Sequence, residues 1–145
     1  MNDPLPGNTP FALELPIGAP PMVVPADNPL TEASVALGKK LFFEERLSVP
    51  FGTSCASCHL TEHAFSDTVA RSVGSNGQSG MRNSPTLANV GYHPALFHDG
   101  GVPNLELQVL APLHDPKEMN SDVNAVALLL RDETAYDLLS KQAYG

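Results

Sequence analysis

The stretch TSCASCHLTEHAFSD, residues 53–67, holds both cysteines of the chain, with a histidine directly after the second. Cys55, Cys58 and His59 must therefore share one small volume, which restricts the backbone around them severely. Three chemistries use such a set. A thioredoxin-like dithiol wants a βαβ setting, and no strand pair is legible in this chain. A zinc site could be proposed from Cys55, Cys58, His59 and His63. Structural zinc sites, however, separate their two ligand pairs by about a dozen residues or more so that four donors can surround the ion. Here Cys58 and His59 are adjacent, which makes that geometry awkward. Haem attachment accounts for every position. Two thiols bond the two vinyl groups on one edge of the macrocycle, the intervening pair sets their separation, and the imidazole turns under the iron as proximal ligand. The motif reads as a c-type site, with haem c bound covalently through Cys55 and Cys58 and its iron held by His59.

A cofactor of this size also answers a problem of scale. A chain of 145 residues fits one domain with a modest core, and a large apolar group supplies core that a short, loop-rich chain lacks. The 14 prolines and 11 glycines predict long ordered loops between short helices. Net charge is −8 and the Lys and Arg residues are scattered, so nothing points to a nucleic-acid partner. No apolar run approaches the roughly 18 residues of a membrane span. The opening MNDPLPGNTP has neither a basic region nor an apolar run. Either the protein is cytosolic, or its export signal is absent from this sequence.

The chain is unevenly organised. Residues 1–29 carry eight of the prolines, from Pro4 to Pro29, and cannot form a useful helix; they read as an extended arm. Residues 30–145 read as the haem domain. Within it, Thr31 is a fitting N-cap, Glu32 lies in the first turn, and Leu30, Ser34, Leu37 and Leu41 share a helical face. SVGSNGQSG (72–80) is a Gly-rich surface loop. NLELQVLAPL (104–113) predicts a helix capped by Asn104, and from Ser121 the pattern predicts two short helices or one bent one. The fold class is mainly α: a loop-rich, cytochrome c-like haem domain with a Pro-rich N-terminal arm.

The motif does not separate an electron carrier from an enzyme. A carrier fills the sixth iron position with a Met or His, and Met22, Met81, Met119, His63, His93, His98 and His114 are available. His63 follows the proximal histidine too closely to reach the opposite haem face easily. An enzyme keeps that position open and sets an acid or base above it.

Several separated stretches point to the enzyme. PLTEASVALGKKLFF, TSCASCHLTEHAFSD, RNSPTLANVGYHPALFHDG, LELQVLAPL and DPKEM together resemble the N-terminal haem domain of the bacterial di-haem cytochrome c peroxidase and MauG family, from about residue 26 to the end. The resemblance implies a periplasmic enzyme with two c-type haems, the first of which reacts with hydrogen peroxide. It implies that Glu118 is the distal acid/base, that Gln108 lines the same pocket, and that Asn83 ligates a structural calcium between the two haem domains. From the residues alone, Glu118 is a surface carboxylate, Gln108 a solvated helix residue and Asn83 a turn residue. The implied function is peroxide reduction, with electrons from a small donor protein (a cytochrome c or a cupredoxin) passing through a second haem domain or chain. A MauG-like oxidase acting on a protein substrate and a plain mono-haem carrier are the alternatives.

Three departures from the family accompany the likeness. The chain stops at SKQAYG, where the family continues into a second haem domain. Ser75 stands where many members carry a histidine that ligates the resting iron, which predicts a ferric iron able to react without prior reduction. His98 replaces the family's tryptophan between the haems, and imidazole is much harder to oxidise than indole.

Overall fold

The computed structural model describes residues 9–145. The arm expected over 1–29 therefore lies partly outside the described residues. From Thr9 to α1 the described chain is non-helical, as its prolines require. It turns at Pro16–Ala19 and Pro25–Asn28, then returns alongside its own start: Phe11 N–H donates to the Leu30 carbonyl at 3.0 Å and Glu32 N–H to the Thr9 carbonyl at 2.9 Å.

Six α-helices and three short 3₁₀ turns follow, joined by loops. The described chain falls into two compact units, one ending at Leu41 and resuming at Leu128–Gly145, the other Phe42–Ala127. In the first, α1 (Glu32–Phe42) starts where the sequence places it. Thr31 Oγ1 accepts from the Ser34 N–H at 3.1 Å, and Ser34 Oγ accepts from the Thr31 N–H at 2.9 Å. This is a reciprocal cap with serine in the place usually taken by Glu. Ala33 and Leu37 are buried on its inner face. The C-terminal pattern resolves into two helices, α5 (Val123–Arg131) and α6 (Thr134–Tyr144). Asp122 caps α5, its Oδ1 accepting from Asn124 and Ala125 N–H at 2.9 and 3.1 Å. Tyr136 of α6 is buried, and the Lys40 ammonium lies 4.6 Å from its ring centroid, a cation–π contact.

The second unit holds the cysteines in α2 (Cys55–Cys58). The single helix expected over 104–113 is instead two, α3 (Leu105–Gln108) and α4 (Leu110–His114), parted at Val109. Pro112 explains the break, because it has no N–H for the Gln108 carbonyl and its ring crowds that oxygen. Asn104 does cap α3, its Oδ1 accepting from Leu107 N–H at 3.0 Å. Isolated antiparallel bridges at Leu60–Ser66, Val73–Ser79 and Leu96–Val102 close the loops, and no longer strand forms among the described residues. Leu47, Leu96, Leu113 and Met119 are this unit's buried apolar side chains, while Phe51, Val73 and Leu107 each keep more than half their surface open. So thin a core suits a chain that folds around a large apolar group. Among the described residues no helix is long and apolar enough to cross a membrane.

Candidate haem site

The attachment motif forms a single helical turn. Cys55 and Cys58, three apart on α2, lie on one face of it. The turn is closed by the His59 N–H to the Cys55 carbonyl at 2.9 Å, and Ser57 Oγ accepts from the Ser54 N–H at 3.0 Å. Both sulfurs are free thiols, half-buried. Burial pushes the Cys55 thiol's pKa up, a backbone hydrogen bond opposing it in part. Burial also raises Cys58, helped by the negative charges of Asp67 and Glu118 and opposed by the Ser84 and Ser72 hydroxyls. Both groups are therefore thiols near neutral pH.

His59 is oriented for ligation. Its Nδ1 lies 2.8 Å from the Phe65 carbonyl oxygen. A carbonyl only accepts, so Nδ1 carries the proton and Nε2 presents its lone pair, as in protein sites where a backbone carbonyl fixes the tautomer of a metal-binding histidine. The carbonyl is brought there by an unusual corner. Ala64 and Phe65 have φ of 54° and 60°, a left-handed conformation that costs non-glycine residues about 1–2 kcal/mol each. Local bonds over-determine it. Phe65 N–H donates to the Leu60 carbonyl at 2.8 Å, and Thr86 Oγ1 to the Ala64 carbonyl at 2.5 Å.

Asn83 braces the segment that follows. Its Nδ2 donates to the Asp67 and Val69 carbonyls at 3.1 and 2.5 Å, and its Oδ1 accepts from Ser66 Oγ at 3.1 Å. His98 joins the same cluster, its Nε2 3.2 Å from the Asn83 carbonyl oxygen. Asn83→Ala removes the two bonds to the Asp67 and Val69 carbonyls, while the Ser66 hydroxyl keeps the Ser84 carbonyl at 2.8 Å; at about 0.5–1.5 kcal/mol per bond, the haem-loaded protein should lose about 1–3 kcal/mol in denaturant unfolding. A loss under about 0.5 kcal/mol would show that Asn83 braces nothing.

Glu118 lies on the turn that follows α4. The turn is self-braced: Glu118 and Asn120 N–H both donate to the Asp115 carbonyl, at 3.0 and 2.9 Å, and Asp115 Oδ1 accepts from Lys117 N–H at 2.7 Å. Glu118 is exposed as a residue, yet enough protein crowds its carboxyl to weaken hydration. That burial raises its pKa, with the Asp115 charge adding to the effect. The negative charge of Glu118 is in turn one of the lesser causes that raise the Cys58 thiol's pKa. Gln108 ends α3 half-buried, and among the described residues no hydrogen bond joins its side chain to Glu118. Of the possible sixth ligands, Met119 is in the core, Met81 is 80% exposed, and His114 is held by Nδ1 at 2.8 Å from the Leu110 carbonyl oxygen, with Asp122 3.6 Å from its Nε2.

Sequence reading missed the groups around the motif: Phe65, whose carbonyl accepts from His59 Nδ1, and Ser72 and Ser84, whose hydroxyls lie 2.8 Å apart beside Cys58. A backbone acceptor carries no residue signature, and serines in a Gly-rich loop look like solvated turn residues. The two adjacent left-handed positions at Ala64 and Phe65 had no signal either, since neither is Gly, Asn or Asp.

The family model for di-haem cytochrome c peroxidases matches residues 32–145. The chain is 40% identical over 126 residues to cytochrome-c peroxidase IdrP1 of Denitromonas iodatirespirans, covering 87% of this chain and 34% of that protein. It is 38% identical over 121 residues to methylamine utilization protein MauG of Methylorubrum extorquens, covering 83% and 34%. The chain thus spans about a third of the length of the curated relatives it matches. Among solved structures, a MauG-like protein associated with microbial copper homeostasis superposes with a TM-score of 0.85 at 36% identity, over 92% of this chain and 40% of that one.

Proposed function

The chain belongs to the di-haem cytochrome c peroxidase family, and on that premise we propose that it is the haem-bearing, peroxide-reacting domain of such an enzyme. One observation carries the reading: two thiols on a single helical turn, followed directly by an imidazole with its tautomer fixed. These residues fit haem c. Cys55 and Cys58 would bond it and His59 would ligate it; the haem supplies the redox-active iron at which the peroxide O–O bond is cleaved. The chain's own contribution is proton management. Hydrogen peroxide, two protons and two electrons give two waters. The Glu118 carboxylate takes the proton from one peroxide oxygen and returns it to the other, which then leaves as water. A raised pKa suits a group that must accept and donate in one cycle. Gln108 would line the same pocket and orient peroxide by hydrogen bonding.

The two electrons come, in this reading, from a small donor protein, a cytochrome c or a cupredoxin, through a second haem domain, in the periplasm. Calcium is a further element of the reading. Asn83 Oδ1 already accepts from Ser66 and has a lone pair left for such an ion, whose other ligands would be carbonyls, water or another domain. Likeness to MauG and to a MauG-like structure supports a second reading, in which the same site oxidises a protein substrate.

The test is the as-isolated ferric protein. A peroxide-reacting domain should give a largely high-spin EPR signal at low temperature, and its haem absorbance should change on mixing with peroxide without prior reduction. A dominant low-spin signal with inertness to peroxide would make the chain an electron carrier. Comparing turnover with a reduced donor against oxidation of a protein substrate separates the two enzymatic readings.

A further inference from the structure

The loop 72–80 does more than cover surface. It is fastened to the Glu118 turn at three points. Ser75 N–H donates to the Glu118 carbonyl at 2.7 Å. Ser75 Oγ lies 2.9 Å from the Val49 carbonyl oxygen and 3.2 Å from that of Met119, so its one proton is shared between two segments of chain. Asn76 Nδ2 donates to the Pro116 carbonyl at 2.6 Å. Val49 is itself tied to the same turn, through its N–H to the Met119 carbonyl at 2.9 Å and its carbonyl to Asn120 Nδ2 at 3.0 Å. Gly74 permits the approach. A Cβ there would overlap the Lys117 carbonyl and lie 2.6 Å from the Glu118 oxygen. The glycine is required here for closeness.

We propose that Ser75 is a positioning residue for Glu118, its amide holding the Glu118 carbonyl and its hydroxyl reaching the Met119 and Val49 carbonyls, so that the backbone just past the carboxylate's Cα is tied to two other segments of chain. The inference rests on the reading of Glu118 as the acid–base group. The physical case is that a carboxylate on an exposed turn has two sources of freedom, its own rotamers and the motion of the turn. The turn's internal bonds all run within 112–121, so they hold its shape but not its place. Ser75 and Val49 supply bonds from elsewhere in the chain, and Ser75 touches two successive carbonyls, those of Glu118 and Met119, which flank the Met119 Cα. A carboxylate that must reach both oxygens of a small substrate tolerates little displacement.

Two readouts test it on the haem-loaded protein. Ser75→Ala should accelerate hydrogen exchange at the Val49 and Ser75 amides several-fold, because both bonds lose a brace. It should also lower the peroxide rate constant by about tenfold, and Ser75→Thr, which keeps the hydroxyl, should restore both. In a Glu118→Gln background Ser75→Ala should still accelerate exchange but leave the residual rate unchanged, since the positioned group is gone. Unchanged exchange and a rate within about twofold of the parent would overturn the proposal. So would a tenfold rate loss that persists in the Glu118→Gln background, because Ser75 would then act on something other than Glu118. If Glu118→Gln alone costs no rate, the function assigned to Glu118 fails instead, and the exchange data still report whether the lock exists.

Discussion

Glu118→Gln should lower the rate constant for reaction with peroxide by about 10²–10⁴-fold, the usual contribution of a general acid–base group, while leaving the haem bound. Glutamine keeps the size and the turn but cannot exchange a proton. The loss should be read by stopped-flow absorbance at several pH values. In the parent protein the rate should rise as Glu118 ionises, with a midpoint above the ordinary carboxylate range, because burial and then the Asp115 charge raise its pKa. The variant should lose that limb. An unchanged rate constant removes Glu118 from the chemistry. Stability provides a control of opposite sign. A carboxyl with a raised folded-state pKa binds its proton more tightly in the folded protein than in the unfolded chain. Its contribution to stability therefore falls as pH climbs from the ordinary carboxylate range through the raised value. The variant escapes that penalty, so near neutral pH it should be at least as stable as the parent, the difference fading in acid. A slow enzyme that is also unstable would indicate general damage to the turn.

The other large effect concerns the thiols. Protein matured with the c-type assembly machinery should show, by intact mass under denaturing conditions, one haem added to the polypeptide. The double variant Cys55→Ala, Cys58→Ala should show none. Each single variant should retain one thioether and release its haem more readily to acid extraction. The cost to folding should be large as well. The Phe42–Ala127 unit buries few apolar side chains of its own, and small domains with thin cores depend on covalent or cofactor ties. The double variant should unfold at far lower temperature or be recovered only as degraded chain. Complete loss of haem from the parent on acid extraction would refute covalent attachment.

The features legible in the sequence share a physical character: each is settled by residues close along the chain. The N-cap at Thr31, the start of α3 at Asn104 and the one-turn spacing of Cys55 and Cys58 are hydrogen-bond and helix-period effects spanning three residues; that Ser34 answers the Thr31 cap was not read from the sequence. The helix drawn over 104–113 was misjudged for the same reason in reverse. Its apolar pattern continued, but Pro112 removed one local bond and split it at Val109. The choice of haem over zinc was likewise a matter of chain-local spacing.

What closes the site is of another kind. His59 becomes a defined tautomer only when a left-handed corner swings the Phe65 carbonyl onto Nδ1. Cys58 acquires its environment from Ser72, Ser84, Asp67 and Glu118. Glu118 reads as a surface carboxylate until Ser75 and Val49, from two distant loops, meet the carbonyls of its turn. The CxxCH spacing alone points to a haem site, since attachment would need particular atoms a fixed short distance apart, but it leaves carrier and enzyme both open. How those atoms are held depends on the fold. Backbone carbonyls and serine hydroxyls are the partners, and they are so common along any chain that only loop closure singles out the ones that meet.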